Sequence, residues 1–406
     1  MKIHTDTLPC GLRLLHVETR SDVMYCGAFV LAGTRDERPD EHGMAHLMEH
    51  MLFKGTDRRN AMQINDRLEG VGGELNAYTC KEDTVVYAAG LKRHFARAYD
   101  LICDLVFHSR IDSEALSKER SVVMDEIDSY RDDPADLIAD DFEDLVFQGS
   151  SLGRNILGTK QGLRSIKAER LRAFYRRCYT PDRIVLFSMG SASVEKVRGW
   201  ADAATQELPS VRYDGASDPL PAYQPCRKRI VKHTSQLHCQ LGTRALSIHD
   251  PQRTALLLLN NILGGPSMNS RLNAQLREKH GLVYAVESQY TAYTDTGLWA
   301  LYFGADHADE QRALSLIRCE MDKLMERPLS PSALHKAQVQ YLAQLTLAAE
   351  NRENWLLAVA KHYALWGEVE PQGRLAERIR AVTASQMQTV AQLLFDPQQL
   401  TCLCYV

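Results

Sequence analysis

The chain has almost no excess of either charge: 48 Lys and Arg stand against 52 Asp and Glu, leaving a formal net charge of -4. No basic field is present to draw nucleic acid or an anionic membrane surface, so neither is an expected partner. Long apolar runs are missing as well. Hydrophobic residues make up 45% of the chain, yet no stretch approaches the roughly 18 apolar residues that a membrane helix needs. The N-terminus alternates polar and apolar residues and turns at Pro9-Cys10-Gly11. That is a strand pattern, not the basic-then-apolar pattern of a signal peptide. Ten cysteines are scattered, several in apolar segments (Cys103, Cys319, Cys402 and Cys404), which reads as reduced thiols, not as a disulfide framework. The expected setting is therefore soluble and cytoplasmic.

The 406 residues exceed one ordinary core and imply two domains of roughly 200 residues each. Pro209, Pro219, Pro221 and Pro225 crowd the stretch Glu207 to Pro225, which places a linker at 211–225 between domains 1–210 and 226–406. The same order of elements occurs on both sides. In the first half a helix near Met44 to Phe53 and a second near Met62 to Glu69 lead through Gly72-Gly73 to the hairpin Glu74–Thr79 and Thr84–Gly90. In the second, Ala255 to Leu263 and Ser270 to Lys279 lead through Gly281 to the hairpin Leu282–Tyr293 and Leu298–Gly304. Two helices follow each hairpin, and each half ends on a helix, a proline and a β-rich strand. The expected fold class is α+β: two duplicated domains, each with a mostly antiparallel or mixed sheet packed with helices.

The chemistry is concentrated in Glu41-His42-Gly43-Met44-Ala45-His46-Leu47-Met48-Glu49-His50-Met51-Leu52-Phe53. Residues three and four apart on a helix share a face, so His46, Glu49 and His50 project together. Two imidazoles at that spacing can hold one zinc, and the carboxylate between them can activate the remaining water. The order His-x-x-Glu-His is itself a catalytic signature. The apolar residues around it make the helix largely buried, and buried histidines need partners. The helix Ser113 to Glu126 offers Glu119 and Glu126 on one face, two turns apart, one to ligate and the other to orient a histidine. Spacing does not decide between them, and His42 competes as a ligand although it precedes Gly43. Laying Asp112–Leu116 on Ser330–Leu334 sets Glu119 opposite Ala337 and Glu126 opposite Gln344. The second-half helix that matches the histidines carries no ligand. Both parts of the constellation are thus present in one half and absent together from the other, as expected of a single site.

The whole chain resembles the pitrilysin, insulinase and mitochondrial processing peptidase family of inverted zinc metallopeptidases. The resemblance rests on Leu8-Pro9-Cys10-Gly11-Leu12, Ala32-Gly33-Thr34-Arg35-Asp36-Glu37, the block His46 to Thr56, Asn76-Ala77-Tyr78-Thr79, Glu119 to Glu126, and Arg277-Glu278-Lys279-His280-Gly281-Leu282-Val283-Tyr284. Cys10 stands where that family usually has Asn. The resemblance implies one zinc per chain held by His46, His50 and Glu126, Glu119 as the supporting carboxylate and Glu49 as general base. It implies that Arg277 and Tyr284 reach substrate carbonyls and the developing oxyanion. It also implies that Gly73, Glu74, Leu75, Asn76 and Ala77 form an edge strand pairing with the substrate backbone. Family members enclose substrate in a clamshell of four such domains, so this chain would be one half of it. Carrying both motif sets, it is expected to form a homodimer with sites completed in trans; a heterodimer is the alternative assembly. The expected activity is endopeptidase cleavage of extended or unfolded peptides. The rivals are a non-catalytic, zinc-stabilised core subunit and a metal-dependent hydrolase of non-peptide bonds.

Overall fold

The computed structural model describes residues 2–213, 215, 219–371 and 373–406. In chain order the first half forms β1 (Lys2–Thr7), β2 (Arg13–Glu18), β3 (Val23–Val30), α1 (Met44–Leu52), α2 (Ala61–Glu69), β4 (Glu74–Thr79), β5 (Thr84–Leu91), α3 (Phe95–Phe107), α4 (Ser113–Arg131), α5 (Pro134–Val146), α6 (Lys160–Ser165), α7 (Ala168–Cys178), β6 (Ile184–Gly190) and α8 (Val194–Thr205). The second half forms β7 (Arg227–Ile230), β8 (Leu237–Ala245), α9 (Arg253–Gly264), a π-helical turn Asn273–Lys279, β9 (Val283–Ala292), β10 (Gly297–Ala305), α10 (Glu310–Glu326), α11 (Pro331–Ala348), α12 (Arg352–Trp366), α13 (Arg374–Ala381), α14 (Ala384–Leu394) and β11 (Thr401–Tyr405).

The strands make two sheets, ordered β1-β2-β6-β3-β5-β4 and β7-β11-β8-β10-β9. Leaving out β1, the orders superimpose strand for strand, and so do the directions. β2 and β6 are parallel, as are β7 and β11, and every other neighbouring pair is antiparallel. The α+β class and the duplication thus appear in the connectivity itself. β6 reads Ile-Val-Leu-Phe-Ser-Met-Gly without polar alternation because both of its faces are buried. Ile184 and Leu186 enter one core with α1, α3 and α7, while Val185, Phe187 and Met189 enter another on the opposite face.

What covers that opposite face departs from a division at 1–210 and 226–406. One compact unit is Met1–Ser129, Arg154–Pro219 and Ala349–Glu370; the other is Tyr130–Gly153, Leu220–Ala348 and Pro371–Val406. The halves exchange equivalent helices. In the first unit α12 lays Leu356, Ala360, Tyr363 and Ala364 on Leu15, Val17, Phe29 and Phe187. In the second, α5 lays Ile138, Phe142 and Val146 on Leu298, Leu403 and Tyr405. α5 has one apolar face and buries it on its sheet, whereas α12 is apolar on more than one side and turns Leu356, Ala360, Tyr363 and Ala364 to its own. Of the expected linker 211–225, residues 214 and 216–218 lie outside the described residues; the rest is neither helix nor strand. Among the described residues no helix is long and apolar enough to cross a membrane.

Candidate metal centre

Helix α1 begins at an unusual terminus. Gly43 precedes it at φ +92, a left-handed conformation suited to glycine, and a Cβ there would lie 3.1 Å from the Gly158 Cα. No local side chain caps the helix. Instead the buried Glu37 accepts from Ala45 N at 2.8 Å and from Gly43 N at 3.1 Å, satisfying donors that the helix leaves open. Met44, Leu47, Met48, Met51 and Leu52 are completely buried. This anchors α1 along one stripe and turns His46, Glu49 and His50 to the other.

Helix α4 starts where Asp112 Oδ1 accepts from Glu114 N and Ala115 N, at 2.9 and 3.1 Å. It buries Leu116, Val123 and Ile127, and on the same side presents Glu119 and Glu126 to α1. Glu126 Oε2 lies 3.9 Å from His46 Nε2 and 3.7 Å from His50 Nε2. The two imidazoles meet edge to face, 4.7 Å between centroids. The other ring nitrogen of His50, Nδ1, donates to Glu119 Oε2 at 3.2 Å, and Lys54 Nζ holds the second Glu119 oxygen at 2.8 Å. With its proton committed at Nδ1, His50 presents the Nε2 lone pair toward Glu126 and His46.

The three donor atoms suit a metal ion. Ligands about 2.1 Å from a tetrahedral ion sit roughly 3.4 Å from one another, so the two edges at Glu126, 3.9 and 3.7 Å, need only a small contraction, and all three donors lie within 4.8 Å of one another. Glu126 Oε2 is buried with no hydrogen-bond partner, a condition that a cation would relieve. Burial, reinforced by the nearby His50, pushes His46 down to about 4. The ring is therefore neutral at pH 7, as a ligand must be.

Glu49 projects beside this triangle. Its Oε2 accepts from Thr79 Oγ1 at 2.6 Å. Burial pushes its carboxyl above the usual range, while the Thr79 hydrogen bond and His50 pull the other way. Thr79 closes β4, the outer strand of its sheet, with β5 its one paired strand among the described residues. Glu74, Leu75, Asn76 and Ala77 thus lie on an edge strand, and Gly73 immediately precedes it. His42 is not among the converging donors: its Nε2 faces the Asn155 carbonyl at 3.0 Å. Arg277 and Tyr284 belong to the second unit. There Arg277 Nε lies 3.7 Å from Glu278, and the exposed Tyr284 hydroxyl donates to Asp306 Oδ1 at 2.7 Å.

Three contributors had no assigned role in the sequence. Glu37 caps α1 from outside the helix, so no capping box marks it. Lys54 and Thr79 reach the site through tertiary contacts and carry no local signal beyond their proximity to matched motifs.

A duplicated α+β scaffold thus carries a candidate metal centre, a His, His, Glu donor set beside a half-buried carboxylate and an open strand edge. Residues 14–160 match the model described as Insulinase (Peptidase family M16), and residues 165–341 match that of the Peptidase M16 inactive domain. An uncharacterized zinc protease of Streptomyces coelicolor is 34% identical over 400 residues, 96% of this chain and 86% of that protein. A probable mitochondrial-processing peptidase subunit beta of Arabidopsis thaliana is 29% identical over 402 residues, 95% of this chain and 75% of that one. The chain belongs to peptidase family M16. The crystal structure of a protease from Helicobacter pylori superimposes with a TM-score of 0.90 at 18% identity, over 100% of this chain and 99% of that one. This last likeness speaks for the fold.

Proposed function

We propose that the protein is a zinc-dependent endopeptidase that hydrolyses extended or unfolded peptides, with one zinc per chain held by His46, His50 and Glu126. The observation that carries this reading is the convergence of those three donor atoms beside a half-buried Glu49 that is tied to an edge strand. Relatives from Streptomyces coelicolor and Bacillus subtilis bear the name zinc protease, which supports the choice of ion. Bound there, zinc supplies Lewis acidity that makes water a nucleophile at neutral pH and polarises a carbonyl.

The remaining work falls to the chain. Peptide backbone adds to the free edge of β4, binding through main-chain hydrogen bonds with little demand on sequence. Glu49 takes a proton from the attacking water as its oxygen bonds to the scissile carbonyl carbon. When the C–N bond breaks, Glu49 delivers that proton to the leaving amine. A carboxyl already destabilised as an anion by burial suits both steps. Glu119 holds His50 in its ligating tautomer. Arg277 and Tyr284, contributed by the second subunit of a homodimer, donate to the developing oxyanion. We assign a cytoplasmic setting, where ten cysteines remain thiols.

The test is cleavage of a mixed peptide pool by wild type and Glu49→Gln, with zinc measured on both. Zinc in both and cleavage by wild type alone is the expected result. Substantial cleavage by Glu49→Gln would remove it as general base. Zinc in both without cleavage in either would favour a non-catalytic, zinc-stabilised subunit.

A further inference from the structure

Away from the first unit's centre, three of the ten cysteines come together. Cys402 and Cys404 are two residues apart on β11 and therefore share a face. Cys239 on β8 lies directly opposite Cys404 in the antiparallel register. The sulfurs of Cys239 and Cys404 are 3.0 Å apart, those of Cys239 and Cys402 3.8 Å, and those of Cys402 and Cys404 3.9 Å. All three face the core built from the second sheet and helices α9, α10 and α14. Cys239 and Cys404 are buried, and Cys402 is half-buried, leaving one approach to an otherwise dry cluster.

Strand β7 runs parallel beside β11 and sets Arg227 opposite Cys402 and Arg229 opposite Cys404. Register partners share a face, so two guanidinium groups flank the thiols. Arg229 Nη1 is in turn held by both oxygens of the buried Glu310, at 2.8 and 2.7 Å. Among the described residues no fourth His, Cys, Asp or Glu donor joins the group.

We propose that Cys239, Cys402 and Cys404 form a binding site for a single thiophilic metal ion of low coordination number, cuprous copper. Thiolate sulfur selects such ions over oxygen-seeking ones. Zinc in closed protein sites takes four ligands, one more than this cluster offers, whereas cuprous copper is content with three. Sulfurs at about 2.3 Å from a trigonal ion lie roughly 4 Å apart. Two of the three edges already have that length, and a rotation of Cys404 or Cys239 opens the third. Three thiolates around a monovalent cation leave net negative charge, which Arg227 opposes, the charge of Arg229 being already paired with Glu310. A disulfide between Cys239 and Cys404 would leave both the third thiol and Arg227 without a role. An ion held there clips β11 to β8. This site is independent of the peptidase reading and stands or falls separately.

The experiment uses the full chain, purified anaerobically under reductant and saturated with zinc so that the histidine centre is filled. Cuprous ion is then titrated against a competing cuprous chelator. One ion per chain is expected, with X-ray absorption reporting three sulfur neighbours and a higher thermal midpoint for the loaded protein. Cys402→Ser, at the half-buried position, should weaken binding about 100-fold or more, beyond the 10- to 100-fold effect of losing a supporting partner, while zinc content and peptide cleavage stay unchanged. Equal affinity in the variant, a shell without three sulfurs, or a Cys239–Cys404 disulfide in the anaerobic protein would each overturn the proposal. If Cys402→Ser fails to fold by circular dichroism, the sulfur count on wild type decides alone.

Discussion

His46 is neutral in the folded protein because its ring is withdrawn from water, and this has a measurable consequence. Its value falls from 6.5 to about 4 on folding. Between those values the unfolded chain binds the proton that the folded chain refuses, so stability drops as pH falls through this window and is fully present above it. The contribution is on the order of 3 kcal/mol, since the side chain is only 10% exposed. Urea melts of metal-stripped protein at pH 7 and pH 4.5 should show the loss, and His46→Gln, which does not titrate, should flatten it. In the proposed centre Glu119 acts through His50, to which it is hydrogen-bonded. Glu119→Gln keeps the shape but loses the charge that fixes the Nδ1 proton and pairs with Lys54. Zinc affinity should fall by about 10- to 100-fold with the thermal midpoint of the metal-free protein little changed; chelator competition reads the first and calorimetry the second. Spacing alone brought His46, Glu49 and His50 to one face, because helical periodicity is a local property. The division of labour between Glu119 and Glu126 was open at that level, since two carboxylates two turns apart are equivalent until a second helix packs against them. Glu37 was illegible for the same reason, being a cap supplied from outside its helix.

Elements show a similar boundary between local and non-local information. The hairpins β4–β5 and β9–β10 were readable because glycine entries and period-two alternation lie within the strands themselves. Strand order was not, and neither was the exchange of α5 and α12. α5 announces an apolar face but not which sheet will cover it, and α12, apolar on more than one side, does not announce even the face. The turn Asn273–Lys279, expected as an ordinary helical stretch, is π-helical in the structure. The helix exchange predicts a long-range defect. Leu356 is 1% exposed and packs against a sheet whose last strand in chain order ends at Gly190. Leu356→Ala should cost about 2–5 kcal/mol, and hydrogen exchange should quicken in β2, β3 and β6, far away in sequence. Faster exchange confined to α12 and its sequence neighbours would contradict the packing.

At the scale of the whole molecule, the proposed zinc ligands and the Arg277–Tyr284 pair sit in different units of one chain. A chain with both sets can complete a site within itself or with a second copy, and mixing inactive variants separates the two. Take Glu49→Gln and Arg277→Ala, each inactive alone, unfolded and refolded together in equal amounts. If sites form in trans in a twofold dimer, half of the dimers are mixed. Each mixed dimer has one site that joins the intact Glu49 of one chain to the intact Arg277 of the other, and one site that lacks both. About a quarter of wild-type activity should return. If each chain completes its own site, every site keeps its single defect and mixing recovers nothing at any ratio. A return that rises and falls with the product of the two chain fractions, peaking at equal amounts, is the signature of the homodimer. A flat line at the level of the separate variants would instead assign the whole site to one chain.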